Sequence, residues 1–257
     1  MSPIYENAWV TLYHGDCLEI MPGLDIKFEA CITDPPYGTT ACKWDSVIPF
    51  EPMWRELKRL IKPNGAICLF GSEPFSSALR MSNLEMFRYD WIWDKKHGVN
   101  FAQAPYMPLK NYEIISVFSQ ATIAQNSKNR MIYNPQGVID CNRVCRGKPS
   151  NEHRPTKTTQ NDYIQTKTNY PNCFLKFNYV VGLHPTQKPV PLIEYLIKTY
   201  TNEGEVILDF TSGSGTTGVA AMETNRKAVL IEKDEKYCEI TIKRLQDKEK
   251  EIAERLF

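Results

Sequence analysis

Short apolar runs alternate with segments of helical period along most of the chain, and this alternation constrains the fold more than any other feature. Each run has five or six residues between turn-forming residues, which suits a buried strand. The runs are residues 8–13, 29–33, 66–70, 89–93, 113–118, 206–210 and 228–232. Strands alternating with helices predict an α/β fold, Rossmann-like, with a mostly parallel sheet and helices on both faces.

Helical period is clearest between the second and third runs. Pro52 suits a first helical turn, and residues 63–65, Pro-Asn-Gly, are predicted to end the helix. The apolar residues on its buried face are Met53, Trp54, Leu57, Leu60 and Ile61. Further helices are predicted at 189–200, from about Thr217, and from about Asp234 to the C-terminus.

The alternation stops between residues 119 and 181, where Asn, Thr, Lys, Arg and Pro dominate. We therefore predict one catalytic domain formed by residues 1–118 and 182–257, with a loop-rich insertion at 119–181. The net charge of the chain is only +1, but residues 121–180 carry nine Lys or Arg against three acids. This local excess of positive charge favours contact with nucleic acid.

Composition excludes several classes of protein. Hydrophobic residues make up 42% and charged residues 24% of the chain, as in ordinary globular domains. No apolar stretch approaches the roughly 20 residues of a membrane helix, and residues 1–9 do not resemble a signal peptide, so we expect a cytoplasmic protein without membrane contact. Cys141 and Cys145, with Cys173 and His153 nearby, lack paired C-x2-C spacing, so we predict structural thiols and no metal.

A rigid acidic turn directly follows the second apolar run. Its residues are Asp34-Pro35-Pro36-Tyr37. In an open α/β sheet, ligands bind beyond the carboxyl ends of the strands, so Asp34 and Tyr37 are predicted to line a crevice. Two consecutive prolines fix φ and supply no N–H, which leaves a stiff turn with carbonyl acceptors.

This turn has the groups that activate an aromatic amine, whose lone pair is otherwise delocalised into the ring. We expect the Asp34 carboxylate and the Pro35 carbonyl to accept the two N–H hydrogens and aim the lone pair at an electrophilic methyl group. Tyr37 offers a flat face for a base extruded from a duplex. The alternative is a rigid surface turn with an Asp cap.

A glycine loop follows the apolar run 206–210 and opens an Ala-rich helix. Residues 209–218 read Asp-Phe-Thr-Ser-Gly-Ser-Gly-Thr-Thr-Gly. Glycines permit a sharp turn and close approach to a ligand, and the helix N-terminus offers unpaired N–H groups. Glu232, one strand later, is placed to accept hydrogen bonds from ribose hydroxyls. The segment therefore predicts a nucleoside site.

The same glycine spacing matches the dinucleotide fingerprint, so a nicotinamide-dependent oxidoreductase is the rival enzyme. Only about 40 residues follow Gly218, too few for the second mononucleotide half of such a fold. The Asp209 carboxylate also suits the cationic amino acid end of S-adenosylmethionine better than a pyrophosphate.

Together these segments resemble the amino-group DNA methyltransferases, which make N6-methyladenine or N4-methylcytosine. The acidic turn lies upstream of the glycine loop, an order similar to the circularly permuted beta group of that family. Three more segments match in order: residues 14–18 (His-Gly-Asp-Cys-Leu), 111–113 (Asn-Tyr-Glu) and 184–189 (His-Pro-Thr-Gln-Lys-Pro). The family usually has Asp-Pro-Phe at the start of the glycine loop, where this chain has Asp209-Phe210-Thr211.

The resemblance implies a role for each matching position. Asp16 contacts the cofactor adenine, residues 184–189 line the methionine part of the pocket, and residues 111–113 flank the target base. Lys188 is either an anchor for the cofactor carboxylate or a solvated cap, and Trp44 and Asp45 border the base pocket or pack structurally. The implied cofactor-binding residues are Asp16, Asp34, Lys188, Asp209, Thr211, Gly213, Ser214, Gly215, Thr216, Thr217 and Glu232; the catalytic residues are Asp34, Pro35, Pro36 and Tyr37.

The resemblance also implies a function. We expect base flipping and direct methyl transfer from S-adenosylmethionine to adenine N6 in DNA, because the motif begins with Asp34, whereas N4-cytosine members more often begin with Ser. N4-cytosine methylation and a non-catalytic DNA-binding relative are the alternatives. Target recognition is assigned to residues 119–181. The resemblance leaves open whether the protein forms a homodimer and whether it has a partner nuclease in a restriction-modification system.

Overall fold

The computed structural model describes residues 2–39, 45–99, 101–146, 162–180 and 187–255. Two compact units are present. The larger consists of Met1–Asn134 and Cys173–Phe257, and the smaller of Pro135–Asn172. The larger unit contains both predicted motifs.

Regular structure covers most of the larger unit. The strands of the chain are β1 Tyr5–Glu6, β2 Val10–His14, β3 Phe28–Thr33, β4 Ile61–Gly71, β5 Phe87–Val99, β6 Lys110–Phe118, β7 Ile139–Cys145, β8 Tyr163–Thr168, β9 Phe174–Lys176, β10 Val206–Asp209 and β11 Lys227–Glu232. The α-helices are α1 Cys17–Ile20, α2 Phe50–Leu60, α3 Phe75–Met81, α4 Val190–Tyr200, α5 Thr216–Glu223 and α6 Glu235–Arg255. None of the helices described is both long and apolar enough to cross a membrane.

One nine-stranded sheet forms the centre of the larger unit, in the order β1-β2-β11-β10-β3-β4-β6-β5-β9. Strands β2, β11, β10, β3 and β4 are parallel to one another. Strand β6 is antiparallel to both β4 and β5, β9 is parallel to β5, and β1 is antiparallel to β2. The predicted mostly parallel α/β sheet is therefore confirmed.

Helices cover both faces of the sheet, as β3 shows. Every residue of β3 is buried, because the strand is central and covered on both sides. Ala30 and Ile32 belong to an apolar cluster that includes residues of α4, α5 and α6. Cys31 belongs to the cluster formed with α1, α2 and α3. Successive side chains of a strand point to opposite faces, so the two clusters form two packed layers.

The predicted end of the first long helix is wrong. Helix α2 ends at Leu60, and residues 63–65 lie in β4. Ile61 has extended backbone angles and pairs with Phe28 of β3, so pairing with the sheet ends the helix earlier than the Pro-Asn-Gly signal. A Cβ on Gly65 would lie 2.5 Å from the Glu29 carbonyl oxygen. This glycine allows two strands to approach closely and does not cap a helix.

The segment 119–181 contains strands that its sequence did not predict. Strands β7 and β8 form an antiparallel two-stranded sheet within the smaller unit, while β9 pairs with β5 in the larger one. Met131 and Leu175 are buried in the core of the larger unit. The smaller unit, Pro135–Asn172, is therefore shorter at both ends than the predicted insertion at 119–181. Most side chains of β7 and β8 are exposed, which explains why no apolar period marks them. The role of 119–181 in target recognition stays a prediction.

Candidate active site

A cavity of about 540 Å³ lies at the carboxyl ends of β2, β3, β10 and β11. The acidic turn and the glycine loop share it, although some 170 residues separate them along the chain. Of the predicted site residues, those that line the cavity are Asp16, Asp34, Pro35, Pro36, Tyr37, Lys188, Asp209, Thr211, Gly213, Ser214, Thr216, Thr217 and Glu232. Its volume is typical of a pocket for a cofactor-sized ligand.

The acidic turn begins where β3 ends. The Tyr37 hydroxyl donates a hydrogen bond to Asp34 Oδ1, and its ring stacks on Phe75 with centroids 5.0 Å apart and planes 28° apart. Burial raises the pKa of Tyr37 well above its usual value, and the negative charge of Asp34 adds to the effect. The phenol therefore stays a neutral donor that fixes the orientation of the carboxylate.

Asp45 holds the backbone of this turn. Its carboxylate accepts N–H groups from Tyr37 at 2.7 Å, Gly38 at 2.8 Å and Thr39 at 2.9 Å. Three such bonds to a carboxylate fix the backbone that follows Asp34. The sequence suggested Asp45 and Trp44 as neighbours of the base pocket; Asp45 lines the cavity, and Trp44 lies outside the described residues.

Lys188 is buried against the acidic turn. Its Nζ atom forms an ion pair with Asp34 Oδ2 and lies 3.3 Å from Glu113 Oε2. It also lies 5.1 Å from the centroid of the Phe70 ring. Glu113 in turn pairs with Lys95. Four charges of alternating sign, Asp34, Lys188, Glu113 and Lys95, thus form one connected chain.

This chain sets the charge of the Asp34 carboxylate. Burial raises the pKa of Asp34, the Lys188 cation opposes that shift, and the Glu113 anion adds to it. Burial alone would lower the pKa of Lys188, but the two carboxylates outweigh it and the net pKa is raised. Burial would likewise raise the pKa of Glu113, but the two lysines lower it overall. Lys188 is therefore the main group that keeps the buried Asp34 ionised.

Asp209 and its threonine partners connect the two motifs. Asp209 accepts hydrogen bonds from the Thr33 and Thr217 hydroxyls, each at 2.5 Å. The Thr33 and Thr211 hydroxyls lie 2.7 Å apart, and Thr211 donates to the Asp34 carbonyl at 3.0 Å. The start of the glycine loop is therefore hydrogen-bonded directly to the acidic turn.

Gly215 does not line the cavity, unlike the other predicted residues. Its φ is +75°, a left-handed conformation that residues with a side chain rarely adopt. A Cβ atom there would lie 2.5 Å from Thr241 Cγ2 of α6. Gly215 thus shapes the loop from behind, at the N-terminal cap of α5.

Two acids, Glu232 and Asp16, line the cavity at the carboxyl ends of β11 and β2. Glu232 accepts the N–H groups of Gly213 at 2.7 Å and Asp234 at 2.8 Å, and burial raises its pKa. Asp16 caps α1 and accepts a hydrogen bond from Lys233 at 2.9 Å. Carboxylate oxygens at this position suit ribose hydroxyls and an adenine amino group.

Some residues of the site were not predicted from the sequence. Ser212 lines the cavity, and its Oγ atom is buried without a hydrogen-bond partner among the described residues. An orphaned hydroxyl of this kind fits a polar ligand group. Lys95 and Phe75 were also missed, because neither belongs to a motif. Residues 184–186, including His184, lie outside the described residues.

The titration of Asp209 gives a testable consequence. Burial raises its pKa from 3.8 to about 6, so the folded protein holds this proton more tightly than the unfolded chain. The contribution of Asp209 to the free energy of unfolding should therefore fall as the pH rises from about 4 to about 6, and then level off. Denaturant unfolding of the wild type and Asp209→Asn across this range measures the difference between them. Exposed Asp247→Asn is the control, and a difference independent of pH would contradict this assignment.

Comparisons with known proteins agree with the geometry. Residues 28–243 match the N6/N4 family model described as DNA methylase. M2.LlaDCHI, a Type II methyltransferase of Lactococcus lactis subsp. cremoris, is 26% identical over 271 residues, covering 95% of this chain and 92% of the relative. The crystal structure of the M1.HpyAVI-SAM complex is 25% identical with a TM-score of 0.63, covering 92% of this chain and 100% of the other. The cytosine-N4-specific PvuII DNA methyltransferase has a TM-score of 0.67 at 14% identity over 96% of this chain and 93% of its own, which shows the fold alone.

The family match covers most of the chain and includes both the acidic turn and the glycine loop. This match favours a methyltransferase and excludes the alternative of a nicotinamide-dependent oxidoreductase. The cavity, the glycine loop, Glu232 and the orphaned Ser212 hydroxyl fit S-adenosylmethionine, the methyl donor of this family. The chain therefore belongs to the N6/N4 DNA methylase family of S-adenosylmethionine-dependent DNA methyltransferases.

Proposed function

We propose that the protein methylates the N6 amino group of adenine in DNA, with the turn from Asp34 to Tyr37 as the acceptor of that amino group. One observation carries the proposal: the Asp34 turn and the glycine loop line one cavity and are hydrogen-bonded through Thr211 at 3.0 Å. An amine held at the turn would face a cofactor held at the loop. Such proximity is the main requirement of a direct transfer.

The turn makes the amine nucleophilic by accepting its hydrogens. The Asp34 carboxylate and the Pro35 carbonyl localise the nitrogen lone pair, which is otherwise shared with the ring. The ionised form of Asp34 is the stronger acceptor, and Lys188 favours that form. Tyr37 orients the carboxylate through its hydroxyl, and its ring, which packs on Phe75, lines the cavity that we propose receives the extruded base.

The cofactor supplies the electrophilic methyl group, and the residues of the loop hold it. Glu232 is the proposed acceptor for ribose hydroxyls, and Asp209 faces the cationic amino acid end. Backbone N–H groups near the start of α5 and the Ser212 hydroxyl supply donors for polar groups of the ligand. No covalent intermediate with the protein is needed.

Adenine is proposed over cytosine because the motif begins with Asp34. The likeness to the cytosine-N4-specific PvuII enzyme does not bear on the base, since at 14% identity it concerns the fold. We also propose that residues 119–181, with their excess of positive charge, contact the DNA around the target. A homodimer and a partner nuclease remain further proposals.

The modified base tests this proposal directly. Purified protein, DNA and S-adenosylmethionine are incubated, the DNA is digested to nucleosides, and the methylated nucleoside is identified by mass. We expect N6-methyladenine, and sequencing of the modified DNA then gives the target sequence. N4-methylcytosine as the product would overturn the choice of base while leaving the chemistry intact. DNA that contains no newly methylated nucleoside would overturn the proposed function.

Lys188 gives a second test, through the pH dependence of the reaction. Removing its positive charge leaves Asp34 buried beside Glu113, which raises the pKa of Asp34 further. The acid limb of the pH–rate profile of Lys188→Gln should therefore move to higher pH by on the order of one unit. Lys198→Gln on α4, where Lys198 is half-buried and paired with Glu194 away from the cavity lining, is the control and should keep the wild-type profile.

The same variant separates the two proposed roles of Lys188. If Lys188 anchors the cofactor carboxylate, as the family resemblance implies, Lys188→Gln weakens S-adenosylmethionine binding and leaves the acid limb in place. A calorimetric titration of the cofactor alongside the pH–rate profile distinguishes the two results. The contact of Lys188 with Asp34 favours the pH shift.

A further inference from the structure

The connection between β5 and β6 carries an unusual group of exposed apolar side chains. We call residues 101–109 the hairpin tip; it begins with a 3-10 turn at Phe101–Gln103. The exposed fractions are 76% for Phe101, 84% for Tyr106 and 56% for Met107. Two aromatic rings and a thioether are exposed on one short segment and do not contribute to the core. An exposed apolar group of this kind is typical of an interaction site.

The hairpin tip lies on the same edge of the sheet as Asp34. Strand β6 is antiparallel to β4, with Ile114 opposite Gly71, so β6 begins where β4 ends. Glu113, near the start of β6, shares Lys188 with Asp34. Lys110, three residues earlier and roughly 10 Å along the strand, contacts the hydroxyl of Ser72 after β4. The stem of the hairpin is thus fixed to the catalytic cluster, and its tip extends beyond it.

The charge around the tip indicates the kind of partner. Lys96 and Lys110 lie on either side of the tip, and residues 101–109 themselves contain no acidic residue. At the base of the hairpin, Lys95 is paired with Glu113, and Asp94 lies opposite Tyr112. Lys110 also lies 5.7 Å from the centroid of the Tyr112 ring, so a cation and an aromatic face are presented together. Aromatic rings flanked by Lys96 and Lys110, in a tip with no carboxylate of its own, suit nucleic acid.

We propose that the hairpin tip contacts duplex DNA next to the extruded base, with the Phe101 and Tyr106 rings stacking in the gap that the base leaves. This inference rests on the proposed function, because the gap exists only if the target base leaves the helix. Extrusion costs unstacking energy, and an apolar ring placed against the neighbouring bases recovers part of it.

A second copy of this chain is the other occupant to consider for an apolar surface. A two-fold contact between two hairpin tips would place Lys96 and Lys110 of one copy near the same lysines of the other, with no acid within residues 101–109 to compensate. Like charges brought together oppose such a contact, whereas the phosphates of DNA satisfy them.

The test compares two duplexes that carry the mapped target sequence. One is fully paired; in the other, the nucleotide opposite the target base is abasic, so the target leaves the helix at little cost. The variant is Phe101→Ala with Tyr106→Ala. We expect its methylation rate on the paired duplex to fall on the order of tenfold or more, and the deficit to shrink to within about twofold on the abasic duplex.

Two control proteins keep the result interpretable. Leu84→Ala removes an exposed apolar side chain just before β5, on the opposite edge of the sheet, and should behave as wild type on both duplexes. Phe101→Tyr with Tyr106→Phe keeps both rings and should retain the wild-type rate. Cofactor binding should be unchanged in every variant, because the hairpin tip does not line the cavity.

Three results would overturn the inference. The first is a wild-type rate for the double alanine variant on paired DNA, and the second is an equal loss on both duplexes. The third is a change of oligomeric state with DNA binding unaltered, which would assign the tip to contacts between copies. If the wild-type protein has no methylation activity, both the proposed function and this inference are contradicted. If the wild type is active and the double alanine variant is unaffected, only this inference is contradicted.

Discussion

The parallel pairing of β3 with β10 is the constraint on which the rest of the site depends. Ile207 pairs with Ala30 and Leu208 with Cys31, so the two strands end side by side. The acidic turn directly follows β3, and the glycine loop begins at the end of β10. The Thr33 hydroxyl at the end of β3 donates a hydrogen bond to Asp209 at the end of β10 and so joins the two. A shift in this register would separate the acceptor turn from the glycine loop without changing a single residue of either. The chemistry of the family is therefore a consequence of sheet topology as much as of motif composition.

Buried charge is the second organising feature. Taking charged groups out of water is costly, and the cost is offset only when each has a partner in good geometry. Beside the acidic turn, Asp34 is paired with Lys188, and Glu113 lies between Lys188 and Lys95. The arrangement keeps a carboxylate ionised in a place that otherwise favours its neutral form. It also connects β5 and β6 to the acidic turn, so the strands that carry the hairpin tip and the proposed acceptor of the amine are joined by ion pairs.

Much of the larger unit was predictable because its signals are local. The apolar runs located the central strands, and both motifs directly follow strands, where ligands bind in such folds. The rest depends on contacts distant in sequence. Nothing near Glu113 reveals that Lys188 will lie 3.3 Å from it, and the carboxylate of Asp45 becomes a clamp only once the turn has formed. The Pro-Asn-Gly signal at 63–65 does not end a helix, because strand pairing already ends α2 at Leu60. Strands β7 and β8 carry no apolar pattern, because they bury little apolar surface.

The central claim is that the Asp34 carboxylate activates the amine of the target base. Single-turnover methyl transfer by Asp34→Ala, with DNA and S-adenosylmethionine both saturating, tests it most directly, and exposed Asp247→Ala on α6 serves as the matched control. We predict a rate lower than wild type by on the order of 10² to 10⁴ for Asp34→Ala and a wild-type rate for Asp247→Ala. Methyl transfer by Asp34→Ala at the wild-type rate would contradict the account.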